Sequence, residues 1–253
     1  MKRILKSLLI CLGTLILSQL IIGFCVGIGS VVLGSFEKVE KQIYIYVTLG
    51  DLITIVLAYL MYNVYDKNLL SKDTFKRIRL NDLYTLVLLG IGFSVVVLFL
   101  TLFLTFIFPS YSKVQEQLSS ASQSLLQLAT IIIVIPICEE IIYRRIIFDH
   151  LRRNYNLVCA IIIQSIIFGI AHGNIVQGIY AFVLGLVLAL VYINYNSLWA
   201  NIILHIIFNL MGICVIPKLI GFNENFIYLL VIIGVVSLVI SFSKFKKQQK
   251  ALF

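Results

Sequence analysis

The chain has 253 residues, of which 61% are hydrophobic and 12% charged, with a mean hydropathy of +1.06. A soluble domain of this length carries about twice that share of charge, so a soluble globular protein is excluded. The formal net charge of +9 comes without any aromatic-basic motif, and nucleic-acid binding is excluded as its explanation.

Apolar stretches of bilayer-spanning length recur along the chain and predict eight transmembrane helices, near 8–34, 43–65, 84–108, 125–142, 157–172, 175–193, 198–216 and 226–243. The first follows Lys2 and Arg3 but runs too long for a signal-peptide core and lacks an A-x-A-like cleavage site, so it reads as a retained helix. Between the third and fourth lies "PSYSKVQEQLSSASQS" (109–124), the longest external loop, placed to fold over the bundle.

Basic residues divide unevenly between alternate connections. One side holds Lys2, Arg3, Lys6; Lys67, Lys72, Lys76, Arg77, Arg79; Arg144, Arg145, Arg152, Arg153; and Lys244, Lys246, Lys247, Lys250, which is sixteen of the twenty. Only Lys38, Lys41, Lys113 and Lys218 fall on the other. The positive-inside rule then puts both termini in the cytosol, as an even span count requires. The expected fold is an all-α polytopic bundle forming one membrane domain over residues 1–253.

Cys11, Cys25, Cys138, Cys159 and Cys214 fall in or beside spans with no C-x-x-C pair, so neither a disulfide framework nor a cysteine zinc site is expected. Eight of the eleven acidic residues fall in predicted loops; Asp51, Glu139 and Glu140 do not. Ionisable groups inside spans are costly and are functional candidates by default. Asp51 has no partner motif and is expected to be a structural hydrogen-bonding group. His150, between Asp149 and Arg152, is expected to be solvated, with Arg152 and Arg153 anchoring the helix at lipid headgroups.

The fourth span ends in "IPICEEIIYRRIIFDHLRR" (135–153). Glu140 and Arg144 share a helix face, with the acid N-terminal as the favourable pair requires. Glu139 is rotated about 100° from Glu140 and is left available for chemistry. A carboxylate held away from water is a stronger proton acceptor. "FGIAHGN" puts Phe168 and His172 on one face, and "SLWANIILHIIFN" does the same for His205 and Asn209. A carboxylate, two imidazoles and a carboxamide on three helices suit the activation of one water. Cys138 offers a rival nucleophile, but a buried thiol without an activating neighbour is usually inert.

Glu139-Glu140-x-x-x-Arg144, Phe168-x-x-x-His172 and His205-x-x-x-Asn209 resemble, in order, the three motifs of the CPBP (CAAX protease and bacteriocin-processing, or Abi) family of intramembrane endopeptidases. The resemblance covers residues 125–216, taken as the catalytic core. Two residues depart from the pattern: Arg145 stands where many members have glycine, and Asn201 where proline is common. The resemblance implies hydrolysis of a peptide bond in a membrane-associated protein or a small signalling or bacteriocin-like peptide, in a multi-pass protein of a bacterial plasma membrane. By the same analogy Glu139 and His172 activate the water, His205 and Asn209 stabilise the oxyanion, and Glu140, Arg144 and Phe168 support them.

No cofactor is favoured. The alternative is zinc held by Glu139, His172 and His205, although the H-E-x-x-H helix of many zinc proteases is absent. A non-catalytic scaffold or immunity protein of the same fold, and less so a proton-coupled transporter, are the rival functions. Straight spans would leave His172 about 10–15 Å from Glu139 and His205 in depth. Either a polar cavity around "HGNIVQG" or a long, tilted fourth helix would close that gap.

Overall fold

The structure, a computed structural model, describes residues 2–65, 70 and 72–250, with side chains described for 4–61, 70 and 73–244. Lys67 therefore lies outside the described residues, as do the side chains of Lys2, Arg3, Lys72, Lys246, Lys247 and Lys250. In a bilayer every backbone polar group needs an internal partner, and a chain this apolar meets that need as helices. They are α1 (Lys2–Leu33), α2 (Ile43–Tyr65), α3 (Leu80–Ile107), α4 (Ser112–Ser122), α5 (Leu125–Asn154), α6 (Leu157–Ala171), α7 (Ile175–Tyr195), α8 (Leu198–Phe222) and α9 (Phe226–Lys250). Single-turn helices at Phe36–Glu40, Lys72–Phe75 and Pro109–Tyr111 join some of them.

Seven of these helices are long and apolar enough to cross a membrane, and α6, with 15 residues, is a shorter apolar helix. The protein is an all-α polytopic bundle. Its exposed side chains include Phe24, Val31, Phe106 and Ile232, as expected of surfaces that face lipid. Helices approach closely where glycine stands at the contact. A Cβ on Gly169 of α6 would sit 2.6 Å from the carbonyl oxygen of Gly178 on α7, and one on Gly92 of α3 would sit 2.8 Å from that of Gly234 on α9. Without a hydrophobic drive between helices in lipid, such close packing holds them together.

The largest departure from expectation is α5. The sequence predicts a span ending at 142, with Arg144 and Arg145 in a cytosolic loop, whereas α5 continues to Asn154. Residues Glu140–Phe148 are π-helical, as are Thr130–Val134 of α5 and Leu210–Val215 of α8. Arg144 is wholly buried and ion-paired with Glu140. Arg145 is ion-paired with Asp149, a carboxylate assigned to a loop that is in fact buried in α5. Arg144 thus never reaches a headgroup. His150 is not solvated either: it is buried, with its Nε2 2.9 Å from the Ser7 hydroxyl of α1. Arg152 pairs with Asp149 at 2.7 Å, and Arg153 donates to the Asp149 carbonyl at 3.0 Å, so both arginines brace the helix end.

This extension resolves the depth of the histidine. Only residues 155–156 separate α5 from α6, and the two helices run back antiparallel. Glu139 lies fifteen residues before Asn154 and His172 fifteen after Leu157. Both therefore stand a similar way from the same turn, and their side chains approach to 4.0 Å. The short α6 ends level with the acidic pair.

The segment 109–124 is mostly helical. In α4, Val114 and Ala121 are buried. Lys113 Nζ lies 3.0 Å from Glu40 Oε1, and Gln117 donates to the same oxygen at 3.3 Å. These contacts dock α4 on the turn between α1 and α2.

Candidate active site

Glu140 is fully buried at the start of the π-helical stretch and has three partners. Its Oε2 lies 3.1 Å from Arg144 Nε and accepts from Asn201 Nδ2 at 3.2 Å, while its Oε1 lies 2.8 Å from His205 Nδ1. The Arg144 contact is an ion pair rather than a directed hydrogen bond, since among the described residues none of the guanidinium nitrogens has a hydrogen-bonding partner. Instead the guanidinium lies over the Phe168 ring, with Cζ 4.6 Å from the centroid. A charge buried this deeply is tolerated only because its counter-charge and an aromatic face are both fixed beside it.

Glu139, rotated away from that cluster, meets both histidines. Its Oε2 lies 3.5 Å from His205 Nε2, and its Oε1 lies 4.0 Å from His172 Nε2. His172 closes α6 as its C-terminal cap, and the chain escapes the helix through Gly173 at φ +68. A side chain there would be strained, so glycine is the natural residue for this turn. Asn174 then caps α7, its Oδ1 accepting from the N–H groups of Val176 and Gln177 at 3.0 and 3.3 Å. The histidine is thereby held between two capped helix ends. Its Nδ1 lies 2.9 Å from the Phe168 carbonyl oxygen. A carbonyl only accepts, so Nδ1 carries the proton, and Nε2 of the neutral ring is left as an acceptor facing Glu139.

Phe168 is the packing centre of the group. Its ring lies 4.9 Å from that of Tyr143, 5.0 Å from that of His172 and 6.0 Å from that of His205, all edge-on. Asn209, one turn beyond His205, donates through Nδ2 to the Ile131 carbonyl at 3.0 Å. That bond ties the first π-helical stretch of α5 to the middle of α8.

Glu139, His172, His205 and Asn209 all line one cavity of about 870 Å³, which α4 borders with Gln115 and Ser119. Cys138 is buried and does not line it, so the rival thiol does not reach the chamber. Among the described residues, no three His, Cys, Asp or Glu side chains stand together as a group that could hold a metal ion.

Two residues of this site escaped the sequence reading. Asn201 bonds Glu140 and, through the same Nδ2, the Leu188 carbonyl at 2.8 Å. The signal was present: Asn201, His205 and Asn209 repeat every four residues and make one polar stripe on an apolar helix. Asp51 of α2 also lines the cavity, 6% exposed. The hydrogen bonds expected of it are absent: among the described residues none reaches its carboxylate, which interacts electrostatically with Glu139 and Tyr143.

Comparison with known proteins agrees with this geometry. The family model described as type II CAAX prenyl endopeptidase Rce1-like matches residues 121–211. A protein of Bacillus subtilis (strain 168), named "Putative membrane peptidase YdiL", is 38% identical over 77 residues, which cover 30% of this chain and 32% of that protein. The match thus spans about a third of that relative's length. No solved structure matches the chain. Taken with the three motifs meeting in one chamber, these likenesses make residues 121–211 similar to the Rce1-like CAAX prenyl endopeptidases.

Proposed function

We propose that the chain is an intramembrane endopeptidase of a bacterial plasma membrane, hydrolysing a peptide bond by glutamate-activated water. The observation that carries this reading is the pairing of Glu139 with the acceptor nitrogen of His172 at 4.0 Å within the cavity. That separation is too long for a direct hydrogen bond and close to the span of one bridging water. A water there gives one hydrogen to each acceptor, and its lone pair is left to face a substrate carbonyl. Glu139 then takes the proton as the water oxygen bonds to the carbonyl carbon.

The opposite wall receives the charge that develops on the carbonyl oxygen. His205 donates a hydrogen bond from Nδ1 to Glu140, so donation from Nε2 as well requires the imidazolium. Glu140 lies between Arg144 and His205, and Glu139 faces His205 from the cavity side. Asn209 commits one amide hydrogen to Ile131 and keeps the other for the oxyanion. Glu140, Arg144, Asn201 and Phe168 act by holding these groups in place.

In this reading the substrate is a membrane-associated protein or a small signalling or bacteriocin-like peptide, entering a chamber within the bundle. Zinc bound by Glu139, His172 and His205 is the less favoured alternative, because the H-E-x-x-H helix of many zinc proteases is absent and Arg144 holds Glu140, the carboxylate left to act as base. A scaffold or immunity role has no use for a water-spaced Glu–His pair. The deciding experiment incubates the purified protein in nanodiscs with membrane-inserted peptides and detects fragments by mass spectrometry. Cleavage by wild type and none by Glu139→Ala is expected. Identical fragments from both would refute the reading.

A further inference from the structure

One carboxylate of the cavity has no task in this mechanism. Asp51 is 6% exposed, lines the chamber with Glu139, and among the described residues accepts no hydrogen bond and forms no ion pair. Its helix, α2, packs against the stretch of α5 that carries Glu139. Two carboxylates share one poorly solvated space, an arrangement that costs free energy until a cation arrives.

Among the described residues none supplies Asp51 with a cation, since the His205 ring faces Glu139. No lysine or arginine among the described residues lines the cavity, and Arg144 is sealed behind Phe168 against Glu140. The same absence leaves a free C-terminal carboxylate of a substrate with no fixed cationic partner. Besides these carboxylates and the imidazoles of His172 and His205, the chamber is lined by apolar, hydroxyl and carboxamide groups, with Tyr44, Tyr143 and Gln19 among them. Its complement is an apolar segment bearing one positive charge.

We propose, building on the peptidase reading, that Asp51 is a substrate-recognition residue that binds an ammonium or guanidinium group, so that the processed peptide carries a lysine or arginine beside the scissile bond. The substrate's cation pairs with Asp51 while the neighbouring carbonyl faces Glu139 and His172. An arriving cation removes the repulsion between the carboxylates and leaves Glu139 free to serve as base. A hydrogen bond to a charged group in such a site corresponds to about 10- to 100-fold in affinity.

The test uses the full chain in nanodiscs and apolar peptides of one sequence, with lysine, acetyl-lysine or norleucine scanned through each position. Binding is read by fluorescence anisotropy and cleavage by mass spectrometry. At one position lysine should bind about 10- to 100-fold more tightly than acetyl-lysine or norleucine. Asp51→Asn should erase that difference and Asp51→Glu restore it. Equal binding of all three peptides by wild type overturns the proposal, as does a lysine preference that persists in folded Asp51→Asn. If Asp51→Asn fails to fold, the wild-type comparison and Asp51→Glu still decide. Lysine-selective binding without cleavage of any peptide would sink the peptidase reading and leave the cation site standing. Cleavage without lysine preference would do the reverse.

Discussion

His205 Nδ1 stands 2.8 Å from Glu140 Oε1, and both side chains are buried. The contact sets the tautomer of the ring, and with it what the opposite nitrogen offers the cavity. Glu140 therefore bears on the chemistry while never facing the chamber.

The two adjacent glutamates should accordingly fail in different ways. Glu139→Gln keeps the shape of the site but cannot take a proton, so turnover should vanish while the thermal midpoint in detergent holds. Glu140→Gln weakens the hold on His205 and leaves buried Arg144 without a counter-charge, a loss on the order of 3 kcal/mol. Its midpoint should fall markedly. Equal midpoints in the two variants would contradict this division.

Asn209 has one amide hydrogen left after its bond to Ile131. If that hydrogen meets the oxyanion, Asn209→Ala should keep peptide affinity within a few-fold while turnover drops about 100- to 1000-fold. Single-turnover rates measured beside anisotropy binding curves separate the two quantities. A large loss of affinity at unchanged turnover would assign Asn209 to substrate binding.

Metal dependence is open to a direct measurement. With Glu139 as base and no metal, exhaustive chelation should leave activity intact, and elemental analysis should find no stoichiometric zinc. A zinc mechanism predicts the opposite, with activity returning when zinc or cobalt is added. In that case Glu140, which orients His205, becomes a support whose loss weakens metal affinity about 10- to 100-fold.

The orientation proposed from the charge distribution can be tested on intact cells. In a background without native cysteines, Glu40→Cys, Gln115→Cys and Phe222→Cys should react with an impermeant thiol reagent from outside. Reaction only after the cytosolic face is opened would invert the topology. Arg144 is sealed inside the bundle and Arg145 is paired with Asp149, yet the remaining basic residues still divide unevenly.

Hydropathy alone was enough to locate the helices, because a stretch of about 20 apolar residues has few alternatives to a helix in lipid. Four-residue spacing was likewise enough to put Glu140 with Arg144, Phe168 with His172, and His205 with Asn209, since i and i+4 share a face whatever the tertiary fold. The same rule would have added Asn201. The extent of α5 was beyond such local reasoning. A window that scores charges as loop residues stops at the arginines, and only the packing of Phe168, Asn201 and His205 around Glu140 and Arg144 makes it affordable to bury them. Asp149 and His150 were misjudged for the same reason, because burial of a polar side chain depends on neighbours remote in sequence. That a histidine at the end of a short helix stands level with a glutamate in the middle of a long one is likewise a tertiary fact. Helix lengths and the turn at 155–156 set their common depth, and side-chain packing closed the remaining distance.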